Sequence, residues 1–373
     1  MIYLAFRGFT LMQLGIFESI FHLTSFLMEV PTGAIADIWG RKLSRLLGRV
    51  CFLISLLIMF YSSSFFIQLV GFMICAIGYN LESGAGDALI FDSLKLDGKD
   101  IIYMKIAGKR ELTYQSAAII AYLVGGYLAT RSYPAVFSIS MGLAFLSVVT
   151  AFFFMEPILE PDQPHVPRPI FATLKEQTVK SVQVVKDNPR IGFLILFSEL
   201  IFTGITTEFF YLQNYWKGMG YTEFMIGIIF AVSALVSGIT GYKAAKIEKR
   251  IGVSGVLVMM PIFLIFCLWG IALTPLHMVF YALTGIIDGI LIIAISDYIN
   301  RLIPSEQRAT ILSFQSMAFS FLMIIFFPII GFIGDTFSLE TSFFILAAFM
   351  TVLCAIYLIF GRSLYGKSSQ KDH

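Results

Sequence analysis

Apolar residues run through this chain in long blocks, neither alternating as in strands nor confined to one face of a helix. A helix needs about 20 apolar residues to cross a bilayer. On that measure the blocks predict eleven spans, at 14–36, 46–63, 65–91, 112–130, 134–155, 191–213, 222–243, 254–273, 275–299, 309–334 and 340–361. The polar stretches between them are short, with one exception at 156–190. Pro157, Pro161, Pro164, Pro167 and Pro169 make the first half of that connector extended. The stretch 170–186 is then predicted as an amphipathic helix on the membrane surface, with Leu174, Val182 and Val185 among its apolar positions. Beyond Arg362 the tail is short, polar and predicted to be disordered. The predicted organisation is an N-terminal helical bundle over 1–155, a linker over 156–190, a C-terminal bundle over 191–361 and a tail over 362–373.

Composition supports the membrane reading. Of 373 residues 58% are hydrophobic and 13% charged, with a mean hydropathy of +0.84, where a soluble domain has roughly 25% charged residues. Where the charges fall matters more than their net value. Of the 26 Lys and Arg, all but Arg7, Arg131 and Lys217 lie in the odd-numbered connectors, counted from the first span, or at the C-terminus. Such a bias predicts that these connectors and the C-terminus are cytoplasmic, in an integral plasma-membrane protein. The four cysteines, Cys51, Cys75, Cys267 and Cys354, sit singly inside apolar runs and read as small buried hydrophobes. The histidines are scattered, and neither metal spacing nor a phosphate-binding loop is present. No enzyme activity, cofactor, metal or nucleic acid is therefore expected.

The first span ends in Glu29-Val30-Pro31-Thr32-Gly33-Ala34-Ile35-Ala36-Asp37-Ile38-Trp39-Gly40-Arg41-Lys42. Pro31 and Gly33 are expected to break the helix there, Gly33 to let two helices approach, and Gly40 to permit a turn that a side chain would obstruct. Asp37 can cap or salt-bridge a neighbouring helix end, while Arg41 and Lys42 hold the turn on the positive side. The spacing of Gly33, Asp37, Gly40, Arg41 and Lys42 resembles the signature loop between helices 2 and 3 of major facilitator superfamily (MFS) transporters, with Ile38 in place of the usual basic residue. That resemblance implies an all-α polytopic fold of two pseudo-symmetric bundles. It also implies twelve helices, one more than the eleven found. Residues 1–6 then look like the end of a missing first helix and 7–13 like the external loop behind it, by truncation or a misassigned start. No cleavable signal peptide is evident at the N-terminus. A shift of 205 residues places Gly84 on Gly289 and Asp92 on Asp297, a weak internal repeat of the kind transporters carry. The resemblance assigns Asp37, Arg41, Lys42 and Asp92 to a cytoplasmic gate, with Asp297 and Arg308 on the corresponding side of the other half.

Ionisable residues inside spans are expensive, about 2.5–3.5 kcal/mol at the bilayer centre, and usually face a cavity or a partner. Glu18, His22 and Glu29 occupy one helical stripe of the first span. They read either as a proton or substrate path, or as an exposed Glu18 with Glu29 supporting the signature turn. Glu82-Ser83-Gly84-Ala85-Gly86-Asp87-Ala88 resembles the Gly-rich part of helix 4 in the superfamily, with Asn80 where proton-coupled antiporters carry an arginine. Glu82 is a candidate cation or proton site, or else a packing ion pair; Asp87, five residues on, points elsewhere. Ala121-Tyr122-Leu123-Val124-Gly125-Gly126 keeps the double glycine of the antiporter motif but not its Gly-Pro. Glu199 and Glu208 diverge around the sixth span, and Asp288, beside Gly289, is the foremost candidate of the C-terminal half. Tyr61, Tyr133, Tyr211, Tyr215 and Trp216 are expected to anchor external helix ends at the interface.

These features imply a secondary transporter working by alternating access, monomeric in the bilayer, with a small-molecule substrate and protons as partners. Its acidic spans favour proton-coupled efflux of cationic or amphipathic compounds. Uptake of a sugar, nucleoside or similar solute is the alternative within transport, and a truncated, inactive or regulatory membrane protein the alternative outside it.

Overall fold

A computed structural model describes residues 1–99, 102–156, 183, 186, 188–302 and 308–365. The amphipathic segment expected at 170–186, most of the linker and the end of the tail lie outside the described residues, apart from positions 183 and 186. Eleven helices and no strand occur among the described residues: α1 (Ile2–Phe6), α2 (Leu11–Trp39), α3 (Arg41–Tyr61), α4 (Phe65–Leu96), α5 (Tyr103–Arg131), α6 (Tyr133–Phe152), α7 (Pro189–Gly218), α8 (Glu223–Leu273), α9 (His277–Leu302), α10 (Arg308–Thr336) and α11 (Leu339–Tyr365). An all-helical chain follows from the medium, because hydrocarbon offers no partner to a backbone N–H or C=O that the segment does not satisfy itself.

Nine of the described helices are long and apolar enough to cross a membrane. The expected spans 222–243 and 254–273 are the two arms of α8, 51 residues long, which bends at Gly252 (φ 74°). The expected span 112–130 lies in α5, which is not among the nine and carries Lys105, Lys109, Arg110 and Glu111 in its first turns. The external loop expected over 7–13 is shorter, since α2 already begins at Leu11.

Pro31 and Gly33 do not break the helix. α2 runs unbroken from Leu11 to Trp39 with Pro31 inside it. Threonine hydroxyls help transmembrane helices tolerate proline by engaging nearby backbone oxygens, and here Thr32 donates to the carbonyl of Met28 at 2.7 Å. The reversal falls on one residue, Gly40, whose φ of 93° is open to glycine and strained for other residues.

The chain forms two compact units. One comprises the described residues of Ile16–Ala117 and Leu128–Val179; the other those of Met1–Gly15, Ala118–Tyr127 and Lys180–His373. In the first unit α3 and α4 cross with backbones in contact: a Cβ on Gly48 would lie 2.9 Å from the carbonyl oxygen of Gly78, and one on Gly78 would lie 2.8 Å from that of Gly48. Ser44 ties the same pair by donating to the Leu81 carbonyl at 2.7 Å. In the second unit α8 and α9 cross in like manner at Gly241 and Gly289. Small residues are what allow such approaches between membrane helices. By contrast a Cβ on Gly33 would meet nothing within 4 Å, so Gly33 is not the glycine of close approach.

The core of the second unit is aromatic and aliphatic, built around Trp216, Tyr211, Phe327, Phe343, Leu194 and Ile201. Tyr211 and Trp216, expected as interfacial anchors, are buried at 2% and 0% exposure. Each has found a partner for its polar atom. Tyr211 donates to the Phe327 carbonyl at 2.6 Å and the Trp216 indole to His277 Nδ1 at 2.8 Å. Tyr61 is 73% exposed, as an anchor should be.

Gly78→Leu should force α3 and α4 apart and cost on the order of 1–3 kcal/mol, as overpacking does. Thermal unfolding in detergent should show a lowered midpoint for Gly78→Leu and an unchanged one for Gly33→Ala.

Candidate functional site

In the first unit the signature turn is held by a residue outside the motif. Glu156, just beyond α6, accepts the backbone N–H of Arg41 at 2.8 Å and of Lys42 at 2.6 Å. The first N–H groups of a helix lack intrahelical partners and carry the positive end of its dipole. Arg41 and Lys42 add two cations at that end, and no side chain of α3 or Gly40 caps it. The Glu156 carboxylate meets the two exposed amides at that end. The neighbouring Arg45 guanidinium sits 4.9 Å from the centre of the Phe154 ring, so the end of α6 and the start of α3 are joined twice.

Glu82 is engaged rather than open. Arg45 approaches it at 3.3 Å and Arg49 bonds the same Oε1. Of the two readings of Glu82, the geometry favours the ion pair between α3 and α4 over the cation or proton site. Asn80 is likewise tied, to α2: its Nδ2 donates to the Ser25 carbonyl at 2.6 Å while Ser25 Oγ donates to its Oδ1 at 2.7 Å. Glu18 and His22 are both 8% exposed on α2, so Glu18 is not the exposed residue of the alternative reading. Glu29 is half-buried on the same helix. Asp37 lies on α2, Asp87 and Asp92 on α4 and Arg308 at the start of α10, but their side chains lie outside the described residues; Asp297 is half-buried on α9.

The second unit gathers the remaining candidates on and around α7. Glu199, Thr203, Thr207 and Glu208 are all 5% exposed or less. The nine-residue spacing of Glu199 and Glu208 turns them to different sides, yet neither reaches the surface, because α7 is buried on several faces. Glu199 Oε1 accepts from Gln315 Nε2 of α10 at 2.6 Å and from Ser198 Oγ at 2.9 Å. Only the nitrogen of the Gln315 amide can donate to a carboxylate, which fixes its orientation. Both bonds fall on one oxygen, and Glu199 and Gln315 also line an open recess of about 290 Å³ with Phe202, Ser316 and Phe319. Glu208 is 0% exposed, and both its oxygens lack a hydrogen-bond partner among the described residues. Asp288 on α9 accepts from Ser237 of α8 at 3.0 Å. Among the described residues no three His, Cys, Asp or Glu cluster as metal ligands would.

Four partner residues were not visible in the sequence. Gln315 is 116 residues from Glu199 and has no motif around it. Arg45 and Arg49 read only as part of a cytoplasmic charge count, although their i, i+4 spacing marks one helix face. Glu156 carried the best available signal: a lone acid at the end of an apolar span, next to Pro157, on the side rich in cations.

Apolar helices of membrane length, crossing on glycines and carrying a few buried carboxylates, define a polytopic helical membrane protein. The chain belongs to the Major Facilitator Superfamily, whose family model matches residues 2–277, and it is accordingly a membrane transporter. It is 21% identical over 363 residues to the uncharacterized MFS-type transporter YxaM of Bacillus subtilis (strain 168), covering 96% of this chain and 90% of that one. Its fold is similar to that of the nucleoside transporter NupG, with a TM-score of 0.73 and 16% identity over 95% of this chain and 91% of that one. It is also similar to a bacterial homolog of the human lysosomal transporter Spinster in an inward-facing, unoccupied conformation. There the TM-score is 0.76 and the identity 15%, over 95% and 90% of the two chains.

Glu156→Ala should free the first amides of α3 and cost about 1 kcal/mol, the usual worth of a helix cap. Hydrogen exchange should accelerate at Arg41 and Lys42 and remain unchanged at the far end of α3.

Proposed function

We propose that the protein is a secondary active transporter working by alternating access, which exports small cationic or amphipathic compounds in exchange for protons. The observation that carries this reading is Glu208, a carboxyl group sealed inside the second unit with neither oxygen hydrogen-bonded among the described residues. With no cation paired to it among the described residues, a proton arriving or leaving there changes the charge of the interior by a full unit. In a low-dielectric setting such a change is felt over a long range. Asp288, held by one hydroxyl, and Glu199, held by two donors, are further stations for a proton or a cationic solute. Glu82 is left out of the proton path because two guanidinium groups already compensate it. The recess in this unit presents a carboxylate and, among the described residues, no Lys or Arg, which suits a cationic solute.

On the cytoplasmic side we assign gating to the turn at Gly33, Asp37, Gly40, Arg41 and Lys42 with Asp92, and to Asp297 and Arg308 in the other half. The hold of Glu156 on the Arg41 and Lys42 amides supports the first assignment, because it fixes where that turn stands.

In everted vesicles Glu208→Gln keeps the shape and removes the titratable group. Substrate-evoked proton movement should fall tenfold or more, while the purified variant stays monodisperse. A wild-type response in Glu208→Gln would place coupling elsewhere.

A further inference from the structure

The recess beside Glu199 has a more specific chemistry than a cavity that admits any cation. Its polar wall consists mainly of acceptors. Glu199 Oε1 is filled by Ser198 and Gln315, and the bond from Gln315 Nε2 holds the amide so that its carbonyl oxygen stays available. Glu199 Oε2 and Gln315 Oε1 accept no hydrogen bond from the described residues and are left for donors on a ligand. Phe202 and Phe319 supply the apolar wall, and among the described residues no Lys or Arg lines the space. At about 290 Å³ the volume is at the small end of ligand sites, which run from about 300 to 1,000 Å³.

Three chemical demands follow. The ligand needs at least two N–H donors for two separate acceptors. It needs a positive charge to match the carboxylate. It also needs a flat, weakly hydrated cationic group, because aromatic walls favour a planar delocalised cation over a compact, strongly hydrated ammonium. We propose that this recess binds planar nitrogen cations, such as aromatic amidines, guanidines and aminated heteroaromatic bases, through Glu199 and Gln315 with Phe202 and Phe319 against the ring. The proposal rests on the transport reading in taking the recess for a solute site, but it is a claim about binding and is testable without transport. Glu199 and Gln315 act here as binding residues that set specificity.

The test is titration of the purified full-length chain in lipid nanodiscs with three probes of one size: benzamidine, benzylamine and benzamide. Benzamidine should bind tenfold or more tightly than the neutral, near-isosteric benzamide, and more tightly than benzylamine, which offers a point charge in place of a fork. Glu199→Gln and Gln315→Leu should each weaken benzamidine about tenfold and leave benzamide nearly unchanged. The ratio between probes on the wild-type chain needs no variant, so misfolding of either substitution cannot rescue the idea. Equal binding of benzamidine and benzamide, no benzamidine binding at millimolar concentration, or full benzamidine affinity in a well-folded Glu199→Gln would each overturn it. Proton-coupled transport of cations without this preference would sink the site and spare the transport reading. The preference without any transport would do the opposite.

Discussion

The first N–H groups of every helix point along its axis with nothing in the helix to receive them, and near a bilayer water is a poor substitute. Here two of those helix starts are met by carboxylates from other helix ends. Glu156, beyond α6, takes the amides of Arg41 and Lys42, and Asp335, at the end of α10, takes those of Leu11 at 2.9 Å and Met12 at 2.8 Å. Both acids are bidentate, one oxygen to each amide. A local cap would fix only its own helix. A cap borrowed from another helix fixes the spacing and register of two, and it does so with charge-assisted bonds, which are the stronger kind.

The same logic sorts the buried polar groups. Where a partner exists the group is structural: Asn80 on Ser25, Glu82 on Arg45 and Arg49, Tyr211 on the Phe327 carbonyl, Trp216 on His277. Two carboxylates are met incompletely or not at all. Glu208 with two idle oxygens and Glu199 with one are the carboxylates of α7 left in that condition. Leaving a buried acceptor unmet costs free energy, and these two carboxylates are the groups on which the proposed function rests.

The spans other than 112–130 were legible in the sequence because hydropathy over 20 residues is a sum, and sums survive local exceptions. Gly40 was legible because one backbone conformation demands it. The breaks expected at Pro31 and Gly33 failed for the reason that makes the spans readable. The medium penalises an interrupted helix more than proline does, and Thr32 bonds back to the Met28 carbonyl beside it. Tyr211 and Trp216 were misplaced because a ring with a polar tip suits an interface and a satisfied core equally well, and only the partner decides. The candidate site was half legible. Its carboxylates stand out in any apolar run, but whether each is compensated depends on residues such as Gln315, more than a hundred positions away.

The glycine crossings have a mechanical meaning. At Gly48 and Gly78, and again at Gly241 and Gly289, backbone rests on backbone with no side chain between to act as a cushion. Side chains can change rotamer and let helices slide; peptide planes in contact cannot. The α3–α4 and α8–α9 pairs therefore behave as welded beams, and any deformation during a transport cycle must be absorbed at their ends and joints, such as the single-residue corner at Gly40 and the bend at Gly252.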